Sequence, residues 1–515
     1  FWEYHQKVGR HPQHGRNSRN KEDYLPRSSK QQPVRPQRAE VPFYLSDTEV
    51  KKRLAAAKRK RASGIPFKLR PFNPNRHKNT PKNFPKLAQY NFLVLTLPLY
   101  ERTYKRSRCN FQGDLFDVAY ILRKCCKLHS VSPDLQYPNF QLYAFSGDAP
   151  CPNGTGSPTW HLDNINFDAV PAGIDGSGIR IGHPDTGWTP HSELNFSDDG
   201  SDPPSSPNID QNADINIIDP NSASAEEAVP SPPGILRWRY HGTRTASMLV
   251  SDAVTGGTLD TTDDEENDRV RGLARGASVV SIRCVNGVIV IGGLDVADAI
   301  MAAVDTGADV ISISLGGYAL PLLQYAVQWA VANDIIVVAA AGNKWPFVVY
   351  PAAYPACIAA GGATINDTVW SGSARNHLGD TPIDISAPAE CVQNPSWDEA
   401  GVESTNPSSG TSFATAIVAG AAALWLQRFR RDILIMRLRG RVPLQELFRA
   451  HLAASARRPA GWNTALDGPG ILNLTGLMNA AVMPRPETLP IPPYVTLSLT
   501  LTGPLSPFFD PATDS

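Results

Sequence analysis

ADVISISLGGYALPLLQYAVQWAVANDIIVVAAAGN, residues 308–343, places one helical run between two apolar, β-branched runs. Ala308 to Ser314 and Ile335 to Ala340 read as strands, and Leu322 to Asn333 as the helix between them. The same alternation continues outward. Ile179–Ile181, Val279–Cys284 and Cys357–Gly361 are further strands, and His241–Val250, Gly293–Thr306 and Thr411–Phe429 further helices. The expected fold class is α/β: a doubly wound, mostly parallel sheet with helices on both faces, preceded by a small α+β N-terminal unit. In such folds the chemistry sits at the carboxyl ends of the strands.

The 515 residues allow more than one domain, and four segments are expected. Residues 1–84 carry 21 Lys and Arg against six Asp and Glu and read as a basic, mostly disordered tail. Residues 85–145 read as a small α+β unit: a strand at Phe92–Leu97, a helix at Leu115–Leu128 and a strand at Ser130–Leu135. Residues 160–483 form the main domain, and residues 484–515 a Pro-rich extended tail. Two acidic loops, Ser197–Glu227 and Asp260–Asp268, interrupt the main domain; oxygen-rich loops can hold calcium, but neither matches a ligand spacing, so both read as surface loops.

A net charge of zero supplies no electrostatic argument for a nucleic-acid or membrane partner. The most apolar stretch, Ala414 to Leu426, reads as a buried core helix too short to span a bilayer. No Gly-rich phosphate loop follows a strand, which argues against a nucleotide-binding protein. The seven cysteines fit no zinc spacing; Cys284 and Cys357 lie in apolar runs, where cysteine packs as a small hydrophobe. No signal-peptide pattern is visible in the stretch beginning at Phe1.

Four short motifs carry chemistry. Asp185-Thr186-Gly187 follows a strand, where a carboxylate can orient a histidine. His241-Gly242-Thr243 opens a helix and supplies a group that takes and returns protons near neutrality. Gly410-Thr411-Ser412 opens another helix, so Ser412 lies among unpaired backbone N–H groups that favour an oxyanion. Ala341-Gly342-Asn343 follows a strand and places a side-chain amide that can donate to the same oxyanion. Taken singly, each has a duller reading as a turn or cap residue. Together, in the order Asp, His, Asn, Ser on an α/β pattern, they describe a nucleophilic triad.

On these residues the chain, from about Trp160 to Met483, resembles the subtilisin-like (subtilase) serine peptidases. Gly272–Ala277, Ser314-Leu315-Gly316-Gly317, Tyr350-Pro351-Ala352, Asp384–Pro388 and Gly468-Pro469-Gly470 resemble further family landmarks. Arg244, Ser247, Ala416 and Ile417 depart from the common pattern, as does His183-Pro184 before Asp185; lacking an N–H, Pro184 is expected to end its strand early.

The resemblance implies a serine endopeptidase in which Asp185, His241 and Ser412 are catalytic and Asn343 is the oxyanion donor. It implies substrate binding by Ser314, Leu315, Gly316, Gly317, Ala341 and Gly342, with substrate added as an extra strand. The small residues there suggest an open pocket for a large apolar side chain before the cut. The resemblance further implies no required cofactor, with structural calcium supported by no specific motif, protein or peptide substrates, a secreted or extracytoplasmic setting, and zymogen synthesis with residues 85–145 as inhibitory propeptide. The rival on the same scaffold is a non-catalytic binding protein.

Overall fold

The strands run β1 (Lys68–Pro71), β2 (Leu93–Thr96), β3 (Arg180–Asp185), β4 (Ile215–Asn216), β5 (Ser278–Arg283), β6 (Ile289–Val290) and β7 (Val310–Ile313) along the first half of the chain. They continue as β8 (Gly316–Gly317), β9 (Ile336–Ala340), β10 (Ile358–Ala363), β11 (Ile385–Pro388), β12 (Val392–Trp397) and β13 (Glu403–Ser408). The helices used below are α1 (Trp160–Asn164), α2 (His241–Val250), α3 (Leu294–Asp305), α4 (Pro321–Ala332), α5 (Thr411–Phe429), α6 (Arg431–Leu438) and α7 (Leu444–Ser455). This computed structural model describes residue 52 and residues 68–74, 93–96, 151, 157, 159–194, 209–219, 221–222, 224–227, 240–251, 270–290, 293–377, 379, 382–398, 401–492 and 494. All belong to one unit, Tyr44–Ser515; the other unit, Phe1–Phe43, lies outside them.

Seven strands form the central sheet in the order β11-β10-β9-β7-β3-β5-β4, and every neighbouring pair is parallel. Successive side chains of a strand point to opposite faces, and the core divides accordingly. Val279, Val310, Ile336 and Val338 face one cluster with α2, α5 and α7. Val280, Ile282, Ile311, Ile313 and Val337 face the other with α3 and α4. Helices thus cover both faces of the expected α/β sheet. The cysteines Cys284 and Cys357 are buried free thiols within the second cluster.

α5 is buried from Thr411 to Leu426 on every side. Its 19 residues are apolar and long enough to cross a membrane, yet 83% of that window lies inside the protein. Alanine and glycine keep the helix slim enough to pass through the middle of the core.

β3 does not stop before Pro184, contrary to expectation: Pro184 pairs with Ile282 and Asp185 with Arg283 of β5. In a parallel strand, alternate residues bond to alternate neighbours. The carbonyls of Ile179 and Asp185 bond toward β5, and that of Arg180 toward β7. The missing N–H of Pro184 therefore faces β7, where the ladder has already ended at Gly182 and Ile311. Nothing is lost there.

Three features depart from the expected organisation. The antiparallel hairpin β12–β13 was not apparent in the sequence. Trp397 at its end packs on Tyr240, with centroids 4.1 Å apart, and meets His191 edge-on at 4.7 Å, while a Cys151–Cys391 disulfide ties its base to the segment before α1. Second, β1 lies inside the segment expected to lack regular structure and pairs antiparallel with β2, so this pairing crosses the boundary placed at residue 85. Third, the Pro-rich segment after Pro484 does not run free at its start: Leu489 and Tyr494 are buried, and the Tyr494 hydroxyl bonds Glu446 of α7 at 2.6 Å. Their apolar side chains gain more by covering the core than by remaining in water. The remainder of 1–84 and 85–145, the loops 195–208 and 252–269, and residues 495–515 lie outside the described residues.

Candidate active site

Asp185 ends β3, an interior strand between β5 and β7. His241 opens α2. The helix approaches the Asp185 loop so closely that a β-carbon on Gly242 would fall 2.0 Å from the Gly187 carbonyl oxygen; only glycine admits this contact. Ser412 lies in the first turn of α5, where backbone N–H groups have no helical carbonyl to bond.

These three side chains, from separate elements, meet in a line. His241 Nδ1 is 2.8 Å from Asp185 Oδ1, and its Nε2 is 3.1 Å from Ser412 Oγ. The Thr186 backbone N–H donates to the same Asp185 oxygen at 2.7 Å. Asp185 is wholly buried, while His241 and Ser412 are 6% and 7% exposed: the relay is anchored in the core and opens at its serine end. Burial would raise the Asp185 carboxyl, but attraction to His241, the bond His241 donates and nearby His183 hold it below the usual carboxylate range.

Asn343 follows β9. Its Oδ1 accepts two bonds from Thr411, from N at 2.9 Å and from Oγ1 at 2.8 Å. The carbonyl end of the amide is thus spoken for, and its N–H₂ is the end left to donate. Gly342 N–H bonds Thr411 Oγ1 at 3.2 Å, locking the segment to the start of α5.

The expected substrate-binding residues flank this line. Ser314 Oγ donates to the Ser412 carbonyl at 3.0 Å, and Ser412 Oγ is 3.3 Å from the Ser314 carbonyl. The open edge expected at Gly316 and Gly317 is absent. β8 pairs with β6, Gly316 N–H bonds the Val288 carbonyl at 3.1 Å, and Gly317 exchanges two bonds with Tyr350 at 2.8 and 3.0 Å. Val349 lies against both segments expected to wall the pocket. A β-carbon on Gly316 would lie 2.2 Å from Val349 Cγ2, and one on Gly342 would lie 3.0 Å from Val349 Cγ1. Val349 thus approaches both glycines closely, and its N–H bonds the Ala341 carbonyl at 2.9 Å.

Two polar side chains not singled out as site residues stand behind Asp185. His183 Nε2 is 3.0 Å from Thr245 Oγ1 and 3.2 Å from the Gly242 carbonyl, and Thr245 Oγ1 is 3.4 Å from Asp185 Oδ2. Desolvation depresses the His183 imidazole below its usual range despite the pull of Asp185. Their signal was legible as spacing: His183 is two residues before Asp185 on one strand face, and Thr245 is one helical turn after His241. Among the described residues, no group of three or more His, Cys, Asp or Glu side chains could hold a metal ion; the acidic stretch 260–268 lies outside them.

The model of the subtilase family (peptidase S8) matches residues 176–476, more than half of the chain. The chain belongs to the subtilase family. This subtilase is 35% identical over 196 residues to a halolysin of Haloferax mediterranei, covering 38% of this chain and 34% of that protein. It is 28% identical over 269 residues to the major intracellular serine protease of Bacillus subtilis, covering 49% and 69%. It is 35% identical over 192 residues to thermitase of Thermoactinomyces vulgaris, covering 36% and 60%. The subtilase thus spans about a third of the halolysin's length and 60% of thermitase's.

Proposed function

We propose that this chain is a serine endopeptidase that hydrolyses peptide bonds through an acyl-enzyme on Ser412. The observation that carries the reading is the continuous line from Asp185 through His241 to Ser412, with contacts of 2.8 and 3.1 Å. In the attack, His241 Nε2 takes the Ser412 proton while the oxygen adds to the scissile carbonyl. Asp185 holds Nδ1 protonated and balances the imidazolium that forms. The Asn343 amide and the Ser412 backbone N–H receive the oxyanion. His241 then protonates the departing amine, and water, activated by the same imidazole, releases the acyl group. No step calls for a metal.

The reading extends to the N-terminal segment as a propeptide. Its support is a set of contacts on the helices α3 and α4. Arg70 pairs with Asp298 of α3 at 2.5 Å. Phe72 packs edge-on against Tyr325 of α4 at 6.1 Å, and Asn73 Nδ2 donates to the Tyr325 hydroxyl at 3.2 Å. The unit proposed at 85–145 therefore takes in the strand beginning at Lys68. Substrates are proteins or peptides, and an extended chain pairing with β8 displaces β6.

The test is labelling of the purified chain with a fluorophosphonate, read by mass spectrometry. Modification of Ser412, its loss in Ser412→Ala, and loss of the N-terminal segment only in the unmutated chain are the expected results. The equivalent deletion in subtilisin, a member of this family, costs roughly 10⁶-fold in kcat. Absence of labelling in a folded protein overturns the reading.

A further inference from the structure

Resting on the peptidase reading, we propose that His183 is a positioning residue for the Asp185–His241 pair: it fastens the first turn of α2 to β3 and, through Thr245, fixes the second carboxylate oxygen of Asp185. His183 stands two residues before Asp185 on β3 and is wholly buried, as is Thr245. Ile181, on the same face of the strand, packs in an apolar cluster with Val279 and Val310 of the neighbouring strands. An imidazole taken out of water in such surroundings costs free energy unless its polar atoms are bonded. The bonds His183 makes run to α2, the helix that carries His241.

The direction of donation follows from the partners. Desolvation lowers the imidazole below its usual range, ahead of the opposing pull of Asp185, so at neutral pH the ring carries one N–H. The Gly242 carbonyl, 3.2 Å from Nε2, can only accept, which places that proton on Nε2. The Thr245 hydroxyl, 3.0 Å from the same nitrogen, shares this bond as an acceptor and keeps its own hydrogen to give elsewhere. With the Gly242 carbonyl served by His183, that hydrogen is shared between the His241 carbonyl at 3.0 Å and Asp185 Oδ2 at 3.4 Å. The charged carboxylate is the stronger acceptor of the two. Asp185 Oδ1 is meanwhile held by the Thr186 N–H at 2.7 Å and His241 Nδ1 at 2.8 Å. Holding Oδ2 as well fixes the plane of the carboxylate, and with it the direction in which Oδ1 meets His241.

The imidazole end of the pair is tied down by the same residue. Gly242 follows His241; its N–H donates to Thr186 Oγ1 at 3.0 Å and its carbonyl accepts from His183. Two residues flanking Asp185 in the chain, His183 and Thr186, thus grip both backbone polar groups of the residue next to His241.

The experiment is a double-mutant cycle on the full chain, with kcat and KM measured on a peptide p-nitroanilide and active sites counted by fluorophosphonate titration. His183→Val and Thr245→Val are each expected to lower kcat about tenfold or more, with KM changed less than about twofold, because the aligned pair acts on the transition state. The double variant is expected to lose at least about fivefold less than the product of the single losses, since both substitutions break one chain of contacts. His183→Gln, whose amide can donate from the Nε2 position, and Thr245→Ser, which keeps the hydroxyl, should each recover most of the lost rate; a packing defect alone would not be repaired in this way. Should His183→Val not fold, His183→Asn, polar but too short to reach Gly242 and Thr245, takes its place in the cycle. A kcat within about threefold of the unmutated chain, losses that simply multiply, or a His183→Gln variant no faster than the variant lacking the contact overturns the inference and leaves the peptidase reading standing. A folded unmutated chain that neither labels nor hydrolyses overturns the two together.

Discussion

Asn343 Oδ1 receives both the backbone N–H and the hydroxyl of Thr411, at 2.9 and 2.8 Å. Thr411 thus aims the amide that the proposed mechanism assigns to the oxyanion, next to the proposed nucleophile Ser412. Thr411→Val removes one of the two bonds and keeps the side chain's size. The expected result is a fall in kcat of about tenfold or more with little change in KM, because the amide acts on the transition state. Thr411→Ser restores the hydroxyl and most of the rate, which a loss of packing alone would not explain. Removing the amide with Asn343→Ala should cost more, on the order of 10²–10³-fold, the range known for subtilisin.

On the peptidase reading, extended substrates should gain less here than at an open strand edge. Gly316 N–H already bonds the Val288 carbonyl at 3.1 Å, so substrate pairing exchanges one hydrogen bond for another, with little net gain. Lengthening a peptide anilide from one to four residues before the cut should raise kcat/KM by less than about tenfold. Steady-state kinetics on a length series at constant leaving group checks this.

Stability should fall on the acid side through His451. This histidine is wholly buried, and its Nδ1 accepts the Trp425 indole N–H at 3.0 Å. Desolvation lowers its pKa to about 4. The unfolded chain therefore binds a proton that the folded protein refuses, and stability declines as pH drops from about 6.5 toward 4. The expected loss over that window is on the order of 2–3 kcal/mol. In an inactive Ser412→Ala background, His451→Gln, which retains an acceptor for Trp425, should flatten this part of the denaturant-midpoint profile.

The Cys151–Cys391 bridge joins residues 240 apart in the chain. Closing so long a loop restricts the unfolded state strongly, and Cys151→Ser should cost about 2–5 kcal/mol. Denaturant unfolding of the Ser412→Ala protein with and without reductant measures it. Reductant should lower the midpoint in the bridged protein and leave Cys151→Ser unchanged.

Phe72 rather than Arg70 should hold the N-terminal segment on α3 and α4. Phe72 is 5% exposed, whereas the Arg70 side chain is 47% exposed in its pair with Asp298. An exposed pair contributes under about 1 kcal/mol, and a buried aromatic anchor about 2 kcal/mol or more. After self-cleavage, the segment should co-elute with the catalytic domain on gel filtration in Arg70→Ala and separate in Phe72→Ala.

Much of the architecture was legible residue by residue. α2 and α5 span His241–Val250 and Thr411–Phe429, as their periodicity indicated, and α3 and α4 differ from their expected limits by one residue. The four motif residues Asp185, His241, Asn343 and Ser412 also gather at one place. The hairpin β12–β13 was not legible, because Gln393-Asn394-Pro395-Ser396 has no apolar alternation. Asn394 Nδ2 bonds across it to the Asn406 carbonyl and Ser408 Oγ, at 2.9 and 2.7 Å, and Trp397 docks on Tyr240. Those contacts come from partners remote in the chain.

Periodicity along the chain is a local property: it records which face of each strand or helix avoids water, and hence an α/β sheet with its motifs at strand ends. Which distant side chain occupies a given space is not local. That Val349 lies against both Gly316 and Gly342 and that Val288 takes the free edge of Gly316 depend on how separate segments cross once packed. The same small residues that suggested an open pocket are what allow Val349 to approach so closely, since a glycine wall admits either a substrate or a neighbouring side chain, and only the folded arrangement selects between them.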